Sequence, residues 1–257
     1  HCGATPNDYD SDPIIHIMEW GRQGVVLDAT VNLSASPYHA DKSGVRIAVA
    51  RSAAVSLNHP FLLANQVGGN DDLLFDGRSI IAWPDGTVVV APGWTEGILI
   101  ADLNSPDDCL WTGDGECTIL QPGEELISND GDLLDAIIIG LSDYCRKSSI
   151  SKIVLGLSGG IDSALAACVA SAAVGAENVT GISMPSRHSS QHSIDDAKAT
   201  AEALGIEFSI RPIEGLHSSA ESALKDILSN GHPVAGENLQ ARLRGLIVMA
   251  HANANGA

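Results

Sequence analysis

The stretch Lys152-Ile153-Val154-Leu155-Gly156-Leu157-Ser158-Gly159-Gly160-Ile161-Asp162-Ser163, followed at once by the alanine-rich run Ala164 to Ala173, constrains this chain more than any other. A short apolar run that meets a glycine pair and a hydroxyl, then turns into strong helix formers, reads as strand, tight loop, helix. That geometry suits phosphate. Glycines let main-chain N–H groups approach an anion without Cβ interference, and the helix start adds partial positive charge. Ser158 and Ser163 supply hydroxyl donors. A carboxylate at Asp162 would be repelled by a polyphosphate unless a cation lay between them, so a magnesium ligand is its natural role. The loop lacks the Gly-Lys-Ser/Thr ending of a Walker A motif. A ligand-free glycine turn is the plainer alternative.

Ser158-Gly159-Gly160-Ile161-Asp162-Ser163 resembles the SGGxDS pyrophosphate loop of the ATP pyrophosphatases, which form an acyl or imidoyl adenylate and release pyrophosphate. The resemblance implies that Gly156, Leu157, Ser158, Gly159, Gly160, Ile161, Asp162 and Ser163 bind ATP, with Asp162 holding Mg2+. It leaves the second substrate open, because guanylate synthetases, asparagine synthetases and tRNA-thiolating enzymes share the loop.

With 257 residues the chain can hold one large or two ordinary domains. It starts at His1 without an initiator Met and stops at Ala257 directly after an apolar helical stretch, so an internal fragment is expected. No apolar run reaches membrane-spanning length and no leader is visible, which reads as a soluble, cytoplasmic piece with no membrane partner. A net charge of -18 disfavours nucleic-acid and anionic-membrane surfaces and weighs against a tRNA-thiolating enzyme. Five cysteines are scattered without a CxxC pair, so neither a zinc site nor a disulfide framework is indicated. Cys168, within the Ala-rich run, is expected as a small core residue.

Residues 1 to about 125 read as β-rich and sandwich-like, with strand-like runs at Gly24–Leu33, Val45–Ala50, Ser79–Ala82, Thr87–Ala91 and Gly97–Asp102. Trp83-Pro84-Asp85-Gly86 between two apolar runs is a hairpin signal, and Ser43–Asn58 can end in a helix carrying Arg51 and Ala53. Three patches stand out: Asn32-Leu33-Ser34-Ala35-Ser36-Pro37-Tyr38 with Lys42, Asn65-Gln66-Val67-Gly68-Gly69-Asn70-Asp71, and Phe75-Asp76-Gly77-Arg78-Ser79. A strand ending in hydroxyls with a Lys six residues on can bind a zwitterion's carboxylate, and Asn65-Gln66 can line a polar pocket. Each patch alone is equally a structural turn. Together and in this order they resemble the C-terminal part of a nitrilase-type amidohydrolase domain, and specifically the glutaminase domain of glutamine-dependent NAD synthetases.

That resemblance implies glutamine binding by Ser36 and Lys42. The family's Glu-Lys-Cys triad uses Cys as the nucleophile that forms a thioester and frees ammonia. Its Glu and Lys have no counterpart after His1, and His1-Cys2-Gly3 stands where the family has Cys-Glu-Asp. Tyr9-Asp10-Ser11-Asp12-Pro13 resembles a longer variant whose nucleophile lies further upstream. No catalytic residue is assigned, and residues 1 to 257 alone are expected to be inactive.

Leu103 to about Gly123 is rich in Asp, Pro and Gly, shows no period, and reads as a connecting loop. Leu126–Lys147 has helical apolar spacing. After the phosphate loop come a strand at Val179–Pro185, a helix at Ile194–Leu204 opened by Ser193 with Asp195 and Asp196 in its first turn, and a strand at Ile206–Ile213. Such alternation implies a parallel sheet whose ligands gather at the strands' carboxyl ends. On the polar loop, His188 and His192 fit surface or adenine-packing roles, while Arg187 suits a nucleotide phosphate or ribose contact. Glu237-Asn238-Leu239-Gln240-Ala241-Arg242-Leu243-Arg244-Gly245 opens a last helix, where two arginines in an acidic chain mark an anion site or a solvated face. It resembles the NAD synthetase element whose Asn contacts deamido-NAD, which implies that role for Asn238.

The expected fold is α/β: the C-terminal part of a nitrilase-like α-β-β-α sandwich over 1–103, a linker over 104–125, and over 126–257 the N-terminal part of a parallel-sheet domain like the adenine-nucleotide alpha hydrolases. The expected parent reaction is ATP-dependent adenylation of deamido-NAD, then amidation by ammonia from glutamine. Its substrates are ATP, glutamine and deamido-NAD, its cofactor is Mg2+, and a homo-oligomer without nucleic acid is implied. The alternatives are another amidotransferase of the same ATP class or an inactive nucleotide-binding fragment.

Overall fold

The computed structural model describes residues 12–126, 130–229 and 234–257. The chain divides into a unit of residues 1–140 and a unit of residues 141–257. Cys2 lies outside the described residues.

In the first unit, α1 (Pro13–Arg22) is capped by Asp12, whose side chain accepts from Ile14 N. Next come β1 (Thr30–Ser34), α2 (Lys42–Leu57), β2 (Phe61–Asn65), β3 (Val67–Asn70), β4 (Leu73–Asp76), β5 (Ile80–Ala82) and β6 (Val88–Val90). β7 (Leu99–Asp102), β8 (Ser105–Trp111) and β9 (Thr118–Leu120) follow, and α3 (Asp130–Lys147) contains the division between the units. The main sheet runs β1-β2-β5-β6-β9; β1 pairs with β2 in parallel and the other pairs are antiparallel. The Trp83–Gly86 turn joins β5 to β6 as an antiparallel hairpin, as its sequence predicts.

Val45–Ala50, read above as strand-like, is helical and belongs to α2. Its apolar residues alternate locally. The residues buried are Arg46, Ile47, Ala50, Ala53 and Ala54, a helical stripe that packs on Phe61, Leu63, Ile80 and Val88. Tertiary burial overrides the short period-2 pattern. The run read from Gly24 is strand only from Thr30. The segment read as a connecting loop carries β8 and β9. Cys109 and Cys117 pack there against Ile81, Trp83 and Val89, so this stretch covers the sheet face opposite α2. Burial raises both thiols' pKa values above the usual cysteine value.

In the second unit, β10 (Ile153–Gly156), α4 (Ile161–Val174), β11 (Val179–Ser183), α5 (Gln191–Leu204) and β12 (Glu207–Ile210) alternate, and the three strands form a parallel sheet in the order β10-β11-β12. A 3-10 turn (Ala176–Asn178) leads into β11. α6 (Glu214–Ala223), α7 (Lys225–Ser229) and α8 (Val234–Asn255) complete the unit, with α8 packed on β10. Leu157, Ala167, Ala170, Val179, Ala197, Ala201 and Ile206 form its core. Cys168 is not part of that core, because its position on α4 faces solvent. α5 begins three residues earlier than its sequence suggested. Ser190 is the cap, its Oγ accepting from Ser193 N at 3.2 Å, so Asp195 and Asp196 fall beyond the first turn. Among the described residues no helix is long and apolar enough to cross a membrane.

Candidate functional site

β10 delivers its last residue, Gly156, to the carboxyl edge of the parallel sheet, where Leu157 is buried and its N–H donates to Ile182 O at 2.9 Å. The chain then turns through Ser158, Gly159 and Gly160 into α4. Ser163 Oγ braces the turn from within the helix, accepting from Ser158 N at 3.2 Å, donating to Gly160 O at 2.9 Å and lying 3.1 Å from Ser158 Oγ. Gly159 has φ +79°, and a Cβ there would strike the main-chain carbonyl of Ser193 at the start of α5. Only glycine fits this left-handed, closely approached position.

Gly160 caps α4 without offering a side-chain acceptor, so the first N–H groups of the helix are left for something outside the protein side chains. An anion is the partner such a terminus favours. Asp162 is exposed in the first turn of α4. Among the described residues no group of three or more His, Cys, Asp and Glu side chains could hold a metal ion. A lone exposed carboxylate beside a helix start that favours anions is a donor set that fits Mg2+, an ion commonly held by one or two protein carboxylates.

The remaining predicted residues of this unit are distributed unevenly. Asn238 and Arg242 are exposed on α8, four residues apart and therefore on one helix face. Arg187 is exposed, but its charge is matched by carboxylates. Its Nε and Nη2 donate to Glu214 at 3.1 and 2.6 Å, and Nη2 also reaches Glu221 at 3.1 Å. The hydrogen bond from Arg187 is the main cause holding the Glu214 carboxyl below its usual pKa. His188 and His192 are exposed.

In the first unit, Ser36 follows β1 and is buried; its Oγ has no hydrogen-bond partner among the described residues. Its N–H donates to Asn65 Oδ1 at 2.9 Å, and Asn65 Nδ2 donates to Gly77 O at 2.8 Å. Asn65 therefore ties the three sequence patches together at the ends of β1, β2 and β4. Lys42 is half-buried at the first position of α2. A cavity of about 140 Å³ is lined by Asn65, Arg78, Ser79, Glu96 and Trp111, and neither Ser36 nor Lys42 reaches it. A larger cavity of about 440 Å³, against α1 and the end of α2, includes none of the predicted site residues.

Sequence reasoning missed the charged network beneath this region. Asp76 is fully buried; its Oδ2 accepts from Arg46 Nη2, from Ser43 Oγ at 3.1 Å and from Arg78 Nη1 at 3.3 Å. Arg78 also pairs with Asp132 at the start of α3, and Arg46 Nη1 donates to Ser36 O at 3.3 Å. The Tyr38 ring meets Trp94 edge-on at 4.8 Å. Burial first, then the nearby Asp132 charge, pushes the Tyr38 hydroxyl's pKa up. Arg46 lies thirty residues from Asp76, so their pairing leaves no local signal, and only Arg78 falls with Asp76 inside the Phe75–Ser79 patch.

The two sites define an amidohydrolase-type unit followed by a phosphate-loop α/β unit, and comparison with known families agrees. Residues 26–107 match the carbon-nitrogen hydrolase family and residues 133–257 match the NAD synthase family. The chain is 42% identical over 224 residues to the glutamine-dependent NAD(+) synthetase of Rhodobacter capsulatus, a match covering 86% of this chain and 40% of that protein. It is 40% identical over 253 residues to the enzyme of that name from Synechocystis sp., covering 95% of this chain and 42% of the relative. The chain thus spans about 40% of the length of these curated relatives. Among solved structures, the glutamine-dependent NAD+ synthetase of Acinetobacter baumannii, in complex with ADP, superposes with a TM-score of 0.78 at 30% identity, covering 95% of this chain and 45% of that one.

Proposed function

We propose that this chain supplies the ATP-handling loop and part of the glutamine pocket of a glutamine-dependent NAD synthetase. The braced turn from Ser158 to Ser163, with its uncapped helix start, carries the reading. ATP would lay its phosphates over this turn, as the ADP bound by the Acinetobacter relative suggests for an adenine nucleotide. The nicotinate carboxylate of deamido-NAD attacks the α-phosphate, the bond to the β-phosphate breaks, and pyrophosphate leaves with the negative charge. Ammonia then adds to the acyl carbon of the adenylate, AMP departs, and loss of a proton leaves the amide of NAD.

Main-chain N–H groups of the turn stabilise charge gathering on the phosphate oxygens, and the serine hydroxyls fix the turn's shape. Asp162 would hold Mg2+, and the ion when bound would supply charge neutralisation for the departing pyrophosphate. Asn238 orients the dinucleotide. In the first unit the buried, unpartnered Ser36 hydroxyl is suited to a polar group of glutamine, and the Lys42 ammonium to its carboxylate. A cytoplasmic homo-oligomer that binds neither nucleic acid nor membrane completes the reading.

The test is a chimera in which this chain replaces the matching segment of the Rhodobacter capsulatus relative. Formation of NAD, AMP and glutamate from deamido-NAD, ATP and glutamine is expected. A well-folded chimera that binds none of the three substrates would overturn the reading.

A further inference from the structure

α8 carries two arginines close in sequence, and the structure gives them different surroundings. Residues two apart on a helix point about 200° away from each other, so Arg242 and Arg244 cannot serve one site. Arg242 is exposed. Arg244 is half-buried, and its Nε donates to the main-chain oxygen of Met184 at 3.2 Å. Met184 directly follows β11, and its Cε lies 2.9 Å from where a Cβ on Gly156 would stand. Gly156 ends β10 and opens the phosphate loop. The Arg244 guanidinium is therefore fastened at the carboxyl ends of β10 and β11, beside that loop.

Only Nε is engaged. Among the described residues no carboxylate pairs with Arg244, a property it shares with Arg22, Arg51, Arg211 and Arg242, whereas Arg46, Arg78, Arg146 and Arg187 each meet an Asp or Glu. Arg51 is also held by main-chain oxygens without an acid, but through Nε and Nη2 together, whereas Arg244 is held through Nε. A guanidinium whose Nε is fixed by a carbonyl presents its two terminal nitrogens as a fork, the geometry that matches paired phosphate oxygens.

We propose that Arg244 is a phosphate-contacting residue of the nucleotide site, its Nη1 and Nη2 donating to the polyphosphate that the Ser158–Ser163 turn receives. This deepens the reading of that turn as a nucleotide site and rests on it. Arg187, which the sequence suited to a nucleotide phosphate or ribose contact, has its charge matched by Glu214 and Glu221.

The experiment titrates the full 257-residue chain with Mg-ATP, pyrophosphate and adenosine, following the ligands' phosphorus and proton resonances. Arg244→Gln is expected to weaken ATP and pyrophosphate about tenfold or more, as loss of a charged hydrogen-bond pair does, and to leave adenosine unchanged. Arg244→Lys should recover part of the loss, because one ammonium cannot hold the Met184 carbonyl and bridge two phosphate oxygens together. If Arg244→Gln does not fold by circular dichroism, Arg244→Lys carries the same comparison at smaller amplitude. Lys198→Gln removes an equal charge from the exposed side of α5 and should change nothing. Equal weakening of ATP and adenosine would show that Arg244 acts only through Met184 and would overturn the proposal. Unchanged pyrophosphate affinity would overturn it too. A wild-type chain that binds neither ATP nor pyrophosphate removes the nucleotide reading itself, and this inference with it.

Discussion

Gly159 and Ser193 meet so closely that a Cβ on the glycine would overlap the serine's main-chain carbonyl. The start of α5 therefore closes on the phosphate turn, and the turn's shape depends on an element more than thirty residues downstream. Gly159→Ala is expected to destabilise the second unit by at least roughly 1–2 kcal/mol, the cost of a left-handed alanine, before any shift of α5 is counted. Gly245→Ala on α8, where the new methyl meets open space, should stabilise by roughly 0.5–1 kcal/mol. Urea unfolding of both variants checks the pair; equal effects would contradict the packing described.

The Arg46–Asp76 ion pair is fully buried, and removing one partner leaves the other charge without compensation. Asp76→Ala should cost about 3–5 kcal/mol, since it strands Arg46 and removes the acceptor of Ser43 and one acceptor of Arg78. Asp76→Asn keeps an acceptor and should cost less. A loss under about 1 kcal/mol for Asp76→Ala in urea titrations would show that the network is not structural.

The carboxyl of Glu214 should titrate below its usual value of 4.5, because it accepts hydrogen bonds from Arg187 and Ser218 and the guanidinium adds attraction. A depressed folded-state pKa contributes stability that is fully present above the unfolded value. It is lost as pH falls through the folded value, so the contribution should fade only on acidification below 4.5. Carbon-detected NMR of the Glu214 carboxyl checks this, with Arg187→Gln expected to return the titration toward the usual value. An unchanged midpoint in that variant would sink the assignment.

How far the sequence foretold these features depends on how local their causes are. The strand, turn and helix around Ser158–Ser163 were legible because strand, glycines, serines and helix formers sit within one short stretch, and the strands β10, β11 and β12 follow from apolar runs separated by helical periods. α2 misled because Val45, Ile47 and Val49 alternate over a few residues, while its burial follows the helical stripe from Arg46 to Ala54. β8 and β9 were hidden by Asp, Pro and Gly around them; they form by pairing with β7 and β6. In the candidate sites Ser36 and Asp162 are candidates by motif alone, while the matching of Arg187 by two glutamates from α6 and the anchoring of Arg244 to Met184 depend on contacts distant in sequence.

Ser36 and Lys42 should separate the two nitrogen sources. In the Rhodobacter chimera, Ser36→Ala or Lys42→Ala should depress glutamine-driven NAD formation about tenfold or more and spare synthesis fed by ammonium salts. Steady-state rates with each donor make the comparison. Equal losses with both donors would show that these side chains do not belong to a glutamine pocket.

Asp162 bears on the central claim most directly. In the same chimera, with ammonium as donor so that the first unit is not limiting, Asp162→Asn should leave the circular dichroism spectrum and melting temperature near those of the parent. It should also lower kcat/KM for Mg-ATP by roughly a hundredfold or more, the several kcal/mol expected when a metal-holding carboxylate is neutralised. The measurement is pyrophosphate release against magnesium concentration for the two proteins. A loss of that size, with magnesium dependence shifted to higher concentrations, is the predicted result; near-normal turnover by Asp162→Asn at the same magnesium concentration would contradict it.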